Sequence, residues 1–389
     1  MTTVKTIISP KMIQWARERL GLDCDAFSKK MGVLPTKVLE WENGSSPITM
    51  TQAKKLSKVS LLPLGLFFLQ DIPKLDIKLP NFRTVGGISI SDASPELEAT
   101  ILSMQSKQGW FREYLEENKE DKLDFVGSVA TDISIKNAVE TIKKTLKIDK
   151  KLFDDSKSWE DLFNELIDLT ENSGILFVRN GIVGNNTRRP LDVEEFRGFV
   201  LIDEYAPLIF INGADSKNAQ LFTFVHELVH VFVGESGLVH EGMMDRSSNP
   251  VERYCNQVAA EFLAPEDVIR ESYNKKLSVE DNLIDLCRLL KISSFVVIYR
   301  LKELKMISPK EADRLIGIEK KAISQKKAKI TGGGNFFESL KYRVGKTFAQ
   351  SVISEALSNR ISYRDAFKLL EVKNFEAMQK LAKTIGMPV

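Results

Sequence analysis

The chain has 389 residues, of which 43% are hydrophobic and 28% are charged, and its formal net charge is +2. This length predicts two or three domains with sizeable cores, and the near-neutral charge excludes a protein whose whole surface attracts nucleic acid. Three scattered cysteines, no apolar run of membrane-spanning length and no basic leader exclude a disulfide scaffold and a membrane protein, and predict a cytoplasmic one.

Residues 1–70 predict a bundle of short helices. Apolar residues at helical spacing, separated by glycine-containing turns, place these helices at 10–20, 25–31, 35–41, 49–56 and 63–68. Two short helices joined through a glycine turn form a helix-turn-helix unit. Trp41-Glu42-Asn43-Gly44 followed by Pro47 is similar to Xre/Cro-type DNA-binding domains. The resemblance implies that the helix at 35–41 enters the major groove of double-stranded DNA.

The start of that helix is poorly suited to reading bases. Thr36 and Lys37 are the candidate DNA contacts, but Pro35 has no hydrogen-bonding side chain and Glu40 would face phosphates with the wrong charge. Ten basic residues against five acidic ones in residues 1–70 favour a phosphate-binding surface, although a solvated surface carries such charges too. The segment is predicted to bind DNA or, alternatively, to dock a protein or form a homodimer.

Residues 71–92 predict a linker, because prolines and glycines interrupt the helical periodicity. A helical scaffold follows, with helices at about 94–117, 133–146 and 159–172. Apolar runs then predict a strand at 174–179 and a strand pair at 198–202 and 207–212. In such a small sheet an edge strand can pair with an extended peptide.

The helix after the strand pair contains the motif His-Glu-x-x-His. His226 and His230 are four residues apart and so lie on one helix face, where both imidazoles can reach one ion, and Glu227 lies close enough to act on water. The alternative is a pair of core histidines in an apolar helix. The chain has only three histidines, however, so a chance match to the motif is rare, and a catalytic zinc ion also needs a dry cavity.

A catalytic zinc ion needs a third protein ligand. His240 does not have the spacing of the extended histidine motif, and Glu252 is the better candidate. Asn249 and Pro250 predict the start of a second helix, on which Glu252 and Asn256 share a face that points to the core. A carboxylate facing a core needs a partner, although a capping box at the helix start is the alternative. Asn256 would hydrogen-bond a ligand histidine from outside the metal shell.

Together these motifs resemble the ImmA/IrrE-type metallopeptidases. The second motif of that family runs Glu-x-x-Ala-Asn-x-Phe-Ala-Ala-x-Leu-Leu-Met-Pro and aligns with residues 252–265. The chain departs from it at Cys255, Val258, Phe262 and Ala264. The resemblance implies that His226, His230 and Glu252 bind Zn²⁺ and that Glu227 is the catalytic glutamate.

This ligand set predicts peptide-bond hydrolysis. A zinc ion would lower the pKa of its bound water and polarise the scissile carbonyl, while Glu227 would take the proton of the water and pass it to the leaving amine. The developing oxyanion needs a second electrophile, for which His240 and Tyr254 are the candidates. A histidine at the surface without such a role is the alternative for His240.

The C-terminal third is predicted to be helical. Residues 266–309 close the peptidase core, the basic and glycine-bearing residues 311–335 form a hinge, and residues 336–389 form a partner-binding or dimerising module. The predicted fold is therefore α+β and mostly helical. It comprises a helix-turn-helix bundle at 1–70, a linker at 71–92, a zincin-like core with a small β-sheet at 93–310, and then the hinge and the helical module.

Two functions fit these predictions. By resemblance, such peptidases cut repressor or antitoxin proteins in stress, mobile-element or phage responses, so the first is a zinc-dependent regulatory endopeptidase coupled to a DNA-binding domain. The second is a non-proteolytic transcriptional regulator or antitoxin that binds DNA and a partner toxin, with a structural or sensory metal site. The intact Glu227 favours the first function, whereas the C-terminal helices and the weak DNA-reading helix favour the second.

Overall fold

The computed structural model of the chain describes residues 8–60, 62, 64–72, 93–149, 151–235, 238–239, 249–326 and 336–388. The chain divides into two compact units, one comprising residues 1–78 and 91–102 and the other comprising residues 79–90 and 103–389. Among the described helices, none combines the length and the apolar character needed to cross a lipid bilayer.

The first unit consists of short helices at nearly the predicted places. They are α1 (Pro10–Arg19), α2 (Cys24–Met31), α3 (Pro35–Glu42), α4 (Met50–Ser60) and a 3₁₀ helix (Leu64–Phe68). Met12, Phe27, Trp41 and Phe67 are buried in its core. Gly32 adopts the left-handed conformation with φ 63° and so ends α2, which lets the chain turn directly into α3.

The second unit contains a four-stranded mixed sheet in the order β1-β5-β4-β6. Its strands are β1 (Leu176–Asn180), β4 (Gly198–Leu201), β5 (Leu208–Asn212) and β6 (Leu238–Val239), and β2 (Ile182–Val183) and β3 (Asn186–Pro190) form a separate ribbon. The predicted strand pair is confirmed, because β4 and β5 are antiparallel with Phe199 opposite Phe210. Every residue of β4 and β5 is buried, as expected for strands covered on both faces.

Two helices pack together beside this sheet. Helix α9 (Lys217–Val233) contacts β4, β5 and α10 (Pro250–Leu263). Residues 220–232 of α9 are all buried, which explains why its sequence is apolar around the whole circumference. Gly234 ends α9 with φ 79°, and a Cβ atom there would lie 2.8 Å from the Cα of Gly127. Glycine therefore satisfies both the left-handed turn and the close approach of the neighbouring loop.

Further helices precede the sheet or follow α10 in the chain. Those before the sheet are α5 (Pro95–Glu117), α6 (Ile135–Thr145), α7 (Lys151–Asp155) and α8 (Trp159–Asn172). Those after α10 are α11 (Glu266–Ser272), α12 (Val279–Leu290), α13 (Ser294–Glu303) and α14 (Pro309–Lys326). The scaffold helices predicted at 94–117 and 159–172 are confirmed to within one residue at each end. Both α6 and α9 pack on α10.

Four C-terminal helices belong to the same compact unit as the sheet. They are α15 (Phe336–Val344), α16 (Lys346–Leu357), α17 (Tyr363–Leu369) and α18 (Phe375–Thr384). Helix α15 packs on the edge strand β1. Gly345, just after this helix, approaches the β1 backbone so closely that a Cβ atom on Gly345 would lie 2.9 Å from the carbonyl oxygen of Phe177. On α5, Lys107 donates to the carbonyl of Arg343 at 3.1 Å and pairs with Glu371 at 3.2 Å.

The two segments predicted as linker and hinge are described only in part. Of residues 71–92, the structure describes only residues 71 and 72. Helix α14 occupies the range 309–326, so the described part of the predicted hinge is helical, and residues 327–335 lie outside the described part of the chain. The helical periodicity of this range, with Ala312 and Leu315 buried, outweighs its basic composition.

Candidate metal centre

Helix α9 brings His226 and His230 onto one face, as their spacing of four residues predicts. Both side chains are buried, and their Nε2 atoms lie 3.0 Å apart. The Nδ1–H group of His230 donates to the backbone carbonyl of Glu235 at 3.0 Å, one residue beyond the glycine that ends the helix. Because a carbonyl oxygen can only accept, Nδ1 of His230 carries a proton, and Nε2 is the ring nitrogen available to a metal ion.

Helix α10 supplies the third member of the cluster. Asn249 caps its start by accepting a hydrogen bond from the backbone N–H of Val251, and Pro250 takes the first helical position. Glu252 then faces α9, with Oε2 3.1 Å from Nε2 of His226 and Oε1 3.4 Å from Nε2 of His230. The carboxylate therefore contacts both imidazoles.

The three side chains fit a zinc ion. Among the described residues, His226, His230 and Glu252 form the one buried group whose ligand atoms all lie within 4.8 Å of one another. Zinc bonds of about 2.0 Å in a tetrahedral arrangement would separate ligand atoms by about 3.3 Å, close to the distances within this cluster. Two imidazole Nε2 atoms at 3.0 Å also require a shared proton or a cation between them. Two imidazoles and one carboxylate are a donor set that zinc accepts while leaving one position open.

The protonation of the cluster follows from burial and from its own charges. Burial lowers the pKa of the His226 imidazole, although Glu252 opposes the shift. Burial also disfavours the charged form of His230, but the neighbouring Cys255 and Glu252 raise the pKa of His230 well above its usual value. Burial disfavours the Glu252 carboxylate, but hydrogen bonds from both imidazoles hold the pKa of Glu252 below its usual range. A metal ion would displace the shared proton, so metal binding is expected to release a proton.

The carboxyl group of Glu227 is buried beside this cluster. Neither of its carboxylate oxygens has a hydrogen-bond partner in the described part of the chain. Burial raises the pKa of Glu227 well above its usual value, and the nearby charge of His230 opposes this shift. A buried carboxyl group without a partner is rare in folded proteins, and it is expected where the group handles protons in a reaction.

Asn256 and Cys255 lie next to the histidines on α10. Asn256 interacts with His226 and favours its protonated form, although Nδ1 of His226 makes no hydrogen bond of ordinary geometry with a described residue. Cys255 interacts with His230, and burial raises the pKa of its thiol. In the sequence Cys255 appeared only as a departure from a family motif. Its position three residues after Glu252 on a helix was the signal for a place near the metal ligands.

The structure does not bring every candidate residue to the cluster. The hydroxyl of Tyr254 donates to the carbonyl of Ile133 at 3.0 Å, so its proton is engaged at the start of α6. His240 lies outside the described residues. In the first unit, Thr36 is exposed on α3, whereas Lys37 Nζ lies 2.7 Å from the carboxylate of Glu40 and 2.8 Å from the hydroxyl of Ser46.

A buried ion pair supports α10 from the side opposite the histidines. Glu261 comes nine residues after Glu252 and so lies on the opposite face of α10, where it pairs with Arg300 of α13. The Arg300 Nε group also donates to the carbonyl of Ala264 at 3.0 Å. Because these partners are 39 residues apart, helical periodicity could not have predicted the pair.

A helix with two histidines and a glutamate, completed by a glutamate from a second buried helix, defines a metal site of the class that metallopeptidases use. Residues 173–302, which include both helices, match the family model of the IrrE N-terminal-like domain of the M78 peptidases. Residues 344–384 match the model of a domain of unknown function, DUF8813.

Among curated proteins, the chain is similar to the "Radiation response metalloprotease IrrE" of Deinococcus radiodurans. The two are 31% identical over 103 residues, which cover 25% of this chain and 31% of that protein. The aligned region thus spans about a third of the length of the curated relative. These matches support membership of the ImmA/IrrE-type family and suggest a metallopeptidase.

Proposed function

We propose that the chain is a zinc-dependent regulatory endopeptidase whose substrate is another regulatory protein, such as a repressor or an antitoxin. The observation that carries the proposal is Glu227, a fully buried carboxyl group that touches no described hydrogen-bond partner and lies beside three converging metal ligands. A structural metal site needs its ligands only, whereas a hydrolytic site also needs a base.

Each residue of the site has a separate role in the proposed hydrolysis. His226, His230 and Glu252 hold the metal, and the Glu235 carbonyl fixes the orientation of His230. When bound, the zinc ion acidifies water and polarises the substrate carbonyl. Glu227 takes up a proton from the attacking water and returns it to the leaving amine, and the raised pKa of its buried carboxyl group suits both transfers.

The sheet offers a place for the substrate chain. Strand β6 is the terminal strand of the sheet and starts four residues after Gly234, where the histidine helix ends. An extended peptide that adds to this edge would gain backbone hydrogen bonds. The proposal therefore places the substrate at β6, with its scissile bond near Glu227.

The test is a cleavage assay with the full chain and its Glu227→Gln variant. The candidate substrates are the proteins encoded by genes next to its own, and the chain itself. Cutting that stops with a chelator, returns with zinc and is absent in the variant is the expected result. The variant should still bind zinc, because Glu227 is not a ligand. Glu266→Gln, an exchange of a partly exposed glutamate on α11, serves as a control that should cut normally.

A second function, a regulator that acts by binding alone, is favoured by the surface of α3. Leu34, just before this helix, is 73% exposed, and Leu39, on the helix, is 51% exposed. Such apolar side chains suit a protein contact better than a phosphate surface. Under this function the chain forms a stable complex with its partner, and Glu227→Gln changes nothing.

We further propose that the first unit is an Xre-like module that binds double-stranded DNA weakly, through Thr36 and Lys37. Lys37 must leave Glu40 to reach a phosphate, so its contribution to affinity is reduced. Fluorescence anisotropy with a mixed-sequence duplex is the test. Binding should weaken steeply as salt increases, and Lys37→Gln should reduce the slope of log K against log salt by about one. Binding that ignores salt would refute a phosphate-directed contact.

A further inference from the structure

A second site is formed by a cavity of about 330 Å³ at the beginning of α9, away from the metal ligands. Its walls come from α8, the end of β1, the first turn of α9 and α15 of the C-terminal helices. Lys217 in this cavity precedes His226 by nine residues, so about 14 Å of helix separates the two positions. This volume falls within the range of small-molecule sites.

Arg179 is one of the two basic residues that line the cavity. On β1 it shares the face of Phe177, because side chains alternate along a strand, and this face is covered by helices. Its guanidinium carbon lies 4.2 Å from the ring centre of Tyr342 and 5.5 Å from that of Phe163. No carboxylate pairs with it in the described part of the chain, and burial lowers its pKa.

The half-buried guanidinium of Arg179 therefore carries a charge that no anion in the described part of the chain balances. Cation–π contacts with two rings compensate part of the loss of water, but a buried charge is normally paired with an opposite one. The five N–H groups of an arginine are also arranged to hold an anion with two oxygens at once.

The other charged residues of the cavity are Lys217, Asp215 and Glu160. Lys217, the first residue of α9, lies 5.9 Å from the Trp159 ring and forms no ion pair with a described residue. The carboxylate of Asp215 is already paired with Arg197 at 3.2 Å, and Glu160 is exposed. The first turn of α9 carries no acidic residue, but the carboxylate of Asp215 accepts from the N–H of Ser216 just before it, and the N–H groups of Ala219 and Gln220 donate to the Ser216 carbonyl. The positive charge that an anion would meet here therefore comes from Lys217 and Arg179.

We propose that this cavity binds a phosphate group, carried by a small molecule up to the size of a mononucleotide, between Arg179 and Lys217. The phosphate pairs with the guanidinium of Arg179 and with the ammonium of Lys217. The indole of Trp159 borders the space that remains and offers a flat apolar surface to a base.

The site has a structural consequence. Tyr342 belongs to α15, and its hydroxyl donates to the Asn164 amide oxygen of α8 at 2.9 Å. A ligand held between Arg179 and Lys217 therefore contacts walls from both the sheet region and the C-terminal helices. Binding is expected to stabilise the packing of α15 on β1 and to raise the unfolding temperature of the chain.

The experiment is calorimetric titration of the full chain with three probes: inorganic phosphate, adenosine monophosphate and adenosine, at constant ionic strength. Phosphate and the nucleotide should bind and adenosine should not, because it lacks the anion. Comparable affinities for the two anions would identify free phosphate as the ligand, and a much tighter nucleotide would identify a nucleotide. Binding by neither anion at millimolar concentration, or equal binding of adenosine, refutes the proposal.

Phosphate can also bind to a metal ion, so variants are needed to show whether the measured binding occurs in this cavity. Lys217→Gln changes an exposed side chain and should weaken the binding of both anions by about 10-fold, the loss of one charge-assisted hydrogen bond. Arg179→Met keeps the apolar contacts with Phe163 and Tyr342 and should abolish binding. Lys144→Gln makes the same charge change on the exposed surface of α6 and should bind normally. Unchanged binding in Lys217→Gln and Arg179→Met overturns the proposal.

Discussion

Replacing Arg300 by methionine should destabilise the second unit by about 4 kcal/mol. The side chains of Arg300 and Glu261 are only 5% and 9% exposed, and the exchange leaves the Glu261 carboxylate buried without its cation. Removing one partner of such a pair costs about 3–5 kcal/mol. The exchange also removes the hydrogen bond to the Ala264 carbonyl, whereas the backbone N–H of Glu266 still donates to Glu261 at 3.3 Å.

A double-mutant cycle separates the pair from the loss of packing. Guanidinium chloride unfolding, followed by circular dichroism, gives the free energy of unfolding for Arg300→Met, Glu261→Met and the double variant. Arg300→Met leaves the Glu261 carboxylate without its cation, and Glu261→Met leaves Arg300 paired with Glu303. The double variant removes both buried charges, so its loss should be smaller than the sum of the single losses by about 1–3 kcal/mol.

The matched control is Arg314→Met. Arg314 pairs with Glu280 and Glu311 at the surface, where solvent screens the charges, so this exchange should have little effect on stability. If Arg300→Met proves as mild as this control, or if the cycle finds no coupling, the Glu261–Arg300 pair does not support α10. Zinc affinity adds a second readout, because α10 also carries Glu252.

Three further predictions concern the metal centre, a titrating carboxyl group and a glycine. Glu252→Gln should lower zinc affinity, measured by competition with a chelator, by more than about 100-fold. The loss of a residue that only hydrogen-bonds a ligand costs up to about 100-fold, and the loss of a ligand itself should cost more. Burial raises the pKa of Glu171 from 4.5 to about 7. The contribution of protonated Glu171 to the free energy of unfolding is therefore complete below pH 4.5 and is lost as the pH rises towards 7. Relative to the wild type, Glu171→Gln should therefore gain on the order of 3 kcal/mol of unfolding free energy across this window. Gly345→Ala should destabilise by about 2 kcal/mol through contact with the Phe177 carbonyl, whereas Gly317→Ala, in an exposed helix interior, should stabilise by about 1 kcal/mol.

Each of these predictions has an outcome that contradicts it. Unaltered zinc affinity in Glu252→Gln would remove this carboxylate from the ligand set. A constant stability difference between the wild type and Glu171→Gln from pH 4 to pH 8 would show that Glu171 titrates normally in the fold. Equal effects of the two glycine exchanges would show that α15 and α16 do not approach β1 as closely as described.

Much of the metal centre could be predicted from the sequence, because it depends on local geometry. A spacing of four residues places His226 and His230 on one helix face in any fold. Asn249 and Pro250 start the second helix, and its periodicity then turns Glu252 towards the core. The strand pair was likewise predictable from short apolar runs separated by a turn.

Other features depended on which distant segments meet, and periodicity carries no information about that. It placed Glu261 opposite Glu252 but could not show that Arg300 would bury and pair with it. Tyr254 was a candidate for the second electrophile, and packing puts its hydroxyl on the Ile133 carbonyl.

The sequence by itself determined which residues are candidate metal ligands and which elements carry them, since the helical repeat fixes which side chains share a face. Only the tertiary structure decided what surrounds them: the packing of the C-terminal helices on β1, and the aromatic walls that Phe163 and Tyr342 place around Arg179. The reason is physical, because contacts between residues far apart in the chain depend on how whole helices and strands pack and not on the local backbone geometry.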